Sequence, residues 1–195
     1  MDDFYFLIKI EMKTEYDSTP ARICQIRSMD ISNGEGIGIA VFFGGCILHC
    51  KNCFNSELWS FDVGEIYTQA HEDKIIELMK PNWIQRISIL GGCPFVWRNF
   101  DILLKLVKRV KQTYPDKKIW MYSGQKFENL NKTKWSSVLQ FVDCLCDGPY
   151  IDELKDPKLK WVGSSNQRVL ELKCVHKDFD IEDLDVIISK SREDK

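Results

Sequence analysis

Three cysteines fall within eight residues, Cys46-Ile47-Leu48-His49-Cys50-Lys51-Asn52-Cys53, in the spacing C-x3-C-x2-C. Thiolates are soft donors, and three this close in sequence can converge on one metal centre. The loop itself offers no fourth cysteine. A structural zinc site takes four ligands and closes. A [4Fe–4S] cluster held by three thiolates instead keeps one iron open to a small molecule. The spacing therefore leaves three readings: an iron–sulfur cluster, a zinc site completed by His49 or a distant cysteine, and a chance group of free thiols. Ligand count and softness put the cluster first.

The rest of the chain limits what surrounds that loop. Its 195 residues suit one domain with a sizeable core, read as a single unit over 1–195 with an N-terminal extension at 1–21 and a C-terminal tail at 178–195. Lys and Arg number 27 against 29 Asp and Glu, a net charge of −2, so no bulk basic field draws nucleic acid or an anionic membrane. The apolar runs are too short for a span of about 20 residues. The opening Met1-Asp2-Asp3-Phe4 is acidic where a signal peptide is basic. The expected setting is cytoplasmic, where eight cysteines serve as ligands, reactive thiols or small buried hydrophobes rather than disulfides.

Periodicity supplies the elements that must position the loop. Residues 22–29 alternate as a strand, and 37–43 form a continuous apolar run, the mark of a strand covered on both faces. Helices are expected over 68–80, stopped by Pro81, and over 99–114, where Ile102, Leu103, Leu106, Val107 and Val110 share one stripe. Strands are expected at 84–90, 118–122, 141–146 and 169–175, with partial helix over 126–139 and fraying after 178. Strands that alternate with helices imply parallel units, whose chemistry lies at the strands' C-terminal ends. Gly44-Gly45, Gly91-Gly92, Ser123-Gly124 and Asp147-Gly148 all fall at such ends.

Here the motifs reach a resemblance. A C-x3-C-x2-C loop after the first strand of an α/β chain, with Gly91-Gly92-Cys93-Pro94 after Ile87-Ser88-Ile89-Leu90, resembles the radical S-adenosylmethionine (SAM) enzymes. Six further stretches narrow the likeness over residues 22–172: Asn33-Gly34-Glu35-Gly36-Ile37, Phe42-Phe43-Gly44-Gly45-Cys46, Cys53-Phe54-Asn55 with Trp59, Ile119-Trp120-Met121-Tyr122-Ser123-Gly124, Asp147-Gly148-Pro149-Tyr150 and Gly163-Ser164-Ser165-Asn166-Gln167-Arg168. In that order they look like the branch that activates anaerobic ribonucleoside-triphosphate reductase.

The resemblance implies an α/β fold of the partial (β/α)6-type barrel kind with mostly parallel strands. It implies a [4Fe–4S] cluster on Cys46, Cys50 and Cys53, its open iron chelating SAM. Asn52 and Phe54, flanking Cys53, would contact adenine and ribose, and the Gly91-Gly92 backbone would bond the methionine amino group. The reduced cluster would cleave SAM to a 5′-deoxyadenosyl radical, which takes a hydrogen from a glycine of the partner. That partner is a glycyl radical enzyme, the anaerobic ribonucleotide reductase large subunit, with an electron donor such as flavodoxin. No acid–base side chain is required, so no catalytic residue is assigned. The sequence departs from the pattern at Cys93, where relatives often carry a carboxylate, at Asn52, where many carry an aromatic, and at Glu35, where relatives usually carry proline. The alternatives are an activase of another glycyl radical enzyme (the pyruvate formate-lyase type), another small radical SAM enzyme, and a zinc-binding adaptor.

The remaining candidates favour plain roles. Cys144 and Cys146, two apart on a strand, share a face and read as buried packing. Cys24 and Cys174 read as packing or free thiols, Cys93 as a small filler with a cluster-proximal thiol as the alternative, and His49 as solvent-facing. Asp147 either meets SAM or orients a turn. Trp59 and Trp97 read as packing residues. Lys105, Lys108, Arg109 and Lys111 make a solvated helix face, and the 163–168 stretch is either a capped turn or a partner-facing segment.

Overall fold

A computed structural model describes residues 19–176 and 184–192, with side chains through residue 173. The expected N-terminal extension lies outside the described residues as far as residue 18. One eight-stranded sheet organises the chain. Its strands are β1 (Arg22–Asp30), β2 (Gly38–Phe43), β3 (Glu65–Ile66), β4 (Arg86–Gly91), β5 (Lys118–Tyr122), β6 (Cys144–Asp147), β7 (Arg168–His176) and β8 (Leu184–Arg192), in the order β3-β1-β2-β4-β5-β6-β7-β8.

The sheet is mixed. The four central strands, β2, β4, β5 and β6, run parallel. On one side β1 and β3 attach antiparallel, and on the other β7 and β8 do the same. The parallel centre follows from its crossovers, since a parallel neighbour needs a long connection. Helix α1 (Gln69–Met79) links β2 to β4, α2 (Phe100–Thr113) links β4 to β5, and the short α3 (Phe127–Leu130) and α4 (Ser136–Leu139) link β5 to β6. No helix among the described residues is long and apolar enough to cross a membrane.

Strands β2, β4 and β6 are buried at every position, which explains why β2 reads as an unbroken apolar run and why the few polar residues of β4 and β6 (Arg86, Ser88 and Asp147) are all hydrogen-bonded. Ile39, Val41, Phe43, Ile87, Ile89, Met121 and Leu145 pack against Ile75, Met79, Leu103, Leu106, Val107 and Val110 of α1 and α2. Each such aliphatic side chain contributes about 1.5–3 kcal/mol on burial. The opposite face carries Ala40, Phe42 and Leu90 in one cluster and Trp120, Cys144, Cys146 and Val169 in another.

Three expectations need correction. The strand foreseen at 141–146 begins only at Cys144. Residues 141–143 are needed for a turn, where Asp143 accepts the Ile119 amide at 2.7 Å and the Lys111 ammonium at 2.7 Å. The tail foreseen to fray after 178 contains β8, paired along β7. The basic face of α2 is not simply solvated: Lys105 and Arg109 reach Glu72 of α1 at 3.4 and 2.8 Å, which lets that carboxylate be buried.

Candidate metal centre

Because β2, β4, β5 and β6 are parallel, their C-terminal ends share one edge of the sheet. Gly44-Gly45, Gly91-Gly92, Ser123-Gly124 and Asp147-Gly148 therefore meet there, and the cysteine loop leaves from the end of β2. Backbone bonds seat it. Gly92 N–H donates to Phe43 O at 2.9 Å and Cys93 N–H to Gly45 O at 2.8 Å. Gly45 and Cys46 N–H donate to Leu58 and Trp59 carbonyls at 2.8 and 3.0 Å, closing the loop behind itself. Asn55 Nδ2 reaches Gly91 O at 3.1 Å, and Arg98 reaches Gly44 O at 3.0 Å.

The glycines serve this contact between backbones. A Cβ on Gly91, whose φ is +129°, would stand 2.1 Å from Phe43 O, and one on Gly92 would stand 2.5 Å from Gly45 O. Only glycine lets the two chain segments approach so closely. Within the loop His49 and Asn52 adopt φ of 47° and 57°. These left-handed turns fold the loop back on itself, with Cys53 N–H on Cys50 O at 3.0 Å.

The three thiols are electrostatic neighbours. Burial pushes the Cys46 thiol up, opposed by the Leu48 and His49 amides, while Cys50 and Cys53 stand close enough to act on it. The Leu48 amide lies 3.4 Å from Cys46 Sγ. Burial likewise pushes Cys50 up, opposed by the Tyr150 amide. Cys93 is fully enclosed, its thiol pushed up to about 12 by burial and next by Cys46. Among the described residues, no three His, Cys, Asp or Glu side chains are gathered closely enough to hold a metal ion as they stand. The donors are soft sulfurs with amides turned toward two of them, and that set suits an iron–sulfur cluster.

The structure distributes the other sequence candidates as follows. Gly91 and Gly92 lie against the loop. Asn52 is tied elsewhere, its Nδ2 donating to Asp152 Oδ2 at 2.7 Å. Phe54 projects outward, 94% exposed. His49 is exposed and stacks on Trp59 at 4.7 Å, so it is turned to packing rather than ligation. Cys144 and Cys146 do share a face, buried beside Trp120. Asp147 orients its surroundings: fully buried, it accepts the Phe127 amide at 2.6 Å and Arg168 Nε at 2.8 Å. Trp97 packs on Trp135. The side chain of Cys174 lies outside the described residues. Sequence reasoning assigned no role to Arg98, Tyr150, Asp152 and Gln167, which act on the loop, directly or through a neighbour, from distant segments. The only sequence signal for any of them was the pair of polar stretches at 147–150 and 163–168.

A family model for a 4Fe–4S single cluster domain matches residues 32–170. The geometry and this match together define an iron–sulfur protein of the single-cluster class. Curated relatives carry the same printed name, anaerobic ribonucleoside-triphosphate reductase-activating protein. The one from Vibrio cholerae is 41% identical over 145 residues, 73% of this chain and 93% of the relative. That from Escherichia coli K12 is 38% identical over 151 residues, 76% and 97% of the two chains. That from phage T4 is 32% identical over 145 residues, 74% and 90%. This chain belongs to the anaerobic ribonucleoside-triphosphate reductase-activating protein family.

Proposed function

We propose that the protein is the radical SAM activase of an anaerobic ribonucleoside-triphosphate reductase. The observation that carries this reading is the placement of a three-cysteine loop at the C-terminal edge of four parallel strands, bonded to the backbone of the Gly91-Gly92 segment. Cys46, Cys50 and Cys53 would hold the [4Fe–4S] cluster, and three protein ligands leave one iron for SAM. When bound, the cluster and SAM supply the one-electron chemistry that removes a hydrogen atom from a glycine of the reductase.

The chain's own residues bind and orient. The Leu48, His49 and Tyr150 amides stabilise thiolates at Cys46 and Cys50. Gly91 and Gly92 present main chain at the loop. Asn52 and Phe54 are the candidates for adenine and ribose contact, and the exposure of Phe54 leaves its ring free to cover a ligand. Cys93, enclosed and protonated, fills space. The parallel centre with helices on one face supports a partial (β/α)6-type barrel whose open side admits a protein substrate. The reductase large subunit is the expected partner and a flavodoxin-like protein the electron donor, in the cytoplasm, without nucleic acid or membrane.

Anaerobic reconstitution tests the reading. Purified protein should take up iron and sulfide in equal amounts and cleave SAM once reduced, and Cys50→Ser should abolish cleavage. Zinc uptake without sulfide, with Cys93 as the fourth ligand, would overturn it.

A further inference from the structure

The 163–168 segment, singled out by its sequence, reaches the site only through a neighbouring loop. Its hydrogen bonds show where it acts. Gln167 Oε1 accepts the Gly163 and Ser164 amides at 2.9 and 3.2 Å, folding the segment into a compact turn. From that turn Gln167 Nε2 donates to Gly148 O at 3.0 Å and Asn166 Nδ2 to Pro149 O at 2.8 Å. Ser164 Oγ accepts the Ile151 amide at 3.1 Å, and the Ser165 amide donates to Leu154 O at 2.9 Å. A Cβ on Gly163 would meet the Tyr150 ring at 3.1 Å, so glycine makes the seat for that ring. The segment thus fixes the 148–154 loop along its length.

That loop in turn holds the second half of the cysteine loop. The Asp152 carboxylate joins two groups: Oδ1 accepts the Tyr150 hydroxyl at 2.9 Å and Oδ2 accepts Asn52 Nδ2 at 2.7 Å. Asn52 is the residue in the left-handed conformation between Cys50 and Cys53, a geometry that asparagine tolerates but does not enforce. The Lys51–Glu153 pair at 3.2 Å is exposed and adds little.

We infer that the 163–168 turn and the 148–154 loop form a brace that sets the Cys50–Cys53 half of the ligand loop, with Asp152 and Gln167 as its positioning residues. The inference rests on the proposed function for what the loop holds, but the brace belongs to the protein itself and can be tested before any cluster is built. In a brace, Asp152 acts through Asn52 and Tyr150, never on the reacting atoms.

The test uses the full chain in two forms. In cluster-free protein, alkylation of Cys50 by iodoacetamide is followed by peptide mass spectrometry, with Cys24 as the internal reference. Asp152→Ala and Gln167→Ala should each speed Cys50 labelling severalfold and leave Cys24 unchanged. Asp152→Asn, which keeps an acceptor for Asn52 and a donor for the Tyr150 oxygen, should restore the slow rate. In reconstituted protein Asp152→Ala should keep its iron but bind SAM about tenfold more weakly, read from the SAM-induced change in the electron paramagnetic resonance spectrum of the reduced cluster. Should Gln167→Ala fail to fold, the surface variant Asp152→Ala decides alone. Wild-type labelling of Cys50 in Asp152→Ala, or equal effects at Cys24, would overturn the brace. Failure of the wild-type chain to build an iron–sulfur cluster would overturn the proposed function and leave the labelling result standing.

Discussion

At the N-terminal ends of β2 and β4 the chain buries a complete ion pair. Arg86, fully enclosed, donates to Asp30 Oδ2 at 2.8 Å, to the Asp30, Glu35 and Gly36 carbonyls, and to Ser88 Oγ. At the C-terminal ends of the same strands stand glycines and thiols, held mainly by backbone bonds and by side chains from distant loops. The first edge saturates its own polar groups and fixes the turn at 31–37. The second leaves its soft donors available and takes its shape from elsewhere. A fold that must offer open sulfurs at one edge needs its rigidity at the other.

Breaking the closed edge should produce the largest effect. Arg86→Met would strand the buried Asp30 charge and cost about 3–5 kcal/mol, measured by urea unfolding. A loss below about 1 kcal/mol would show that the pair is not structural. The pH dependence of the same variant sharpens the point. Burial raises the Asp30 carboxyl, but hydrogen bonds from Arg86 and Asn33 outweigh it and hold the group below the usual carboxylate range. A depressed folded pKa gives stability that is present above the unfolded value near 3.9 and lost as pH falls through the folded one. Wild type should therefore lose this contribution only below about pH 4. In Arg86→Met the unpaired carboxyl is raised instead, so stability should improve as pH falls toward 5.

Next in size is Gly91→Ala at the open edge. The left-handed φ and the 2.1 Å approach to Phe43 O make this substitution strained, at roughly 1–3 kcal/mol. It should also displace the Cys93 backbone from Gly45 and lower iron uptake, measured as iron per chain after reconstitution. Unchanged iron uptake would show that the glycine seat is not needed by the loop. The smallest effect is expected from Cys93→Ala, about 1 kcal/mol with full iron content. Loss of iron in that variant would make Cys93 a ligand.

The two edges also differed in how well the sequence foretold them. Buried strands declare themselves by composition, so β5 at Lys118–Tyr122 was legible to the residue. Strand β8 at Leu184–Arg192 was not, because Asp185, Lys190 and Arg192 made the segment read as a charged tail. The cysteine loop stood out in the sequence because its three cysteines are local. Asp152 and Gln167 were not, because Asp152 meets Asn52 across 100 residues of sequence, a juxtaposition that only the parallel sheet creates. Glycine at 91 and 92 was expected for access to a ligand; the contacts it makes are first with backbone.

The central claim is that the open edge makes a radical on another protein. Reduced, reconstituted protein should be mixed anaerobically with SAM and the anaerobic reductase, and the mixture frozen for electron paramagnetic resonance. The account predicts a glycyl radical doublet on the reductase, absent with Cys50→Ser. A fully clustered wild-type protein that cleaves SAM yet never yields the doublet would contradict it.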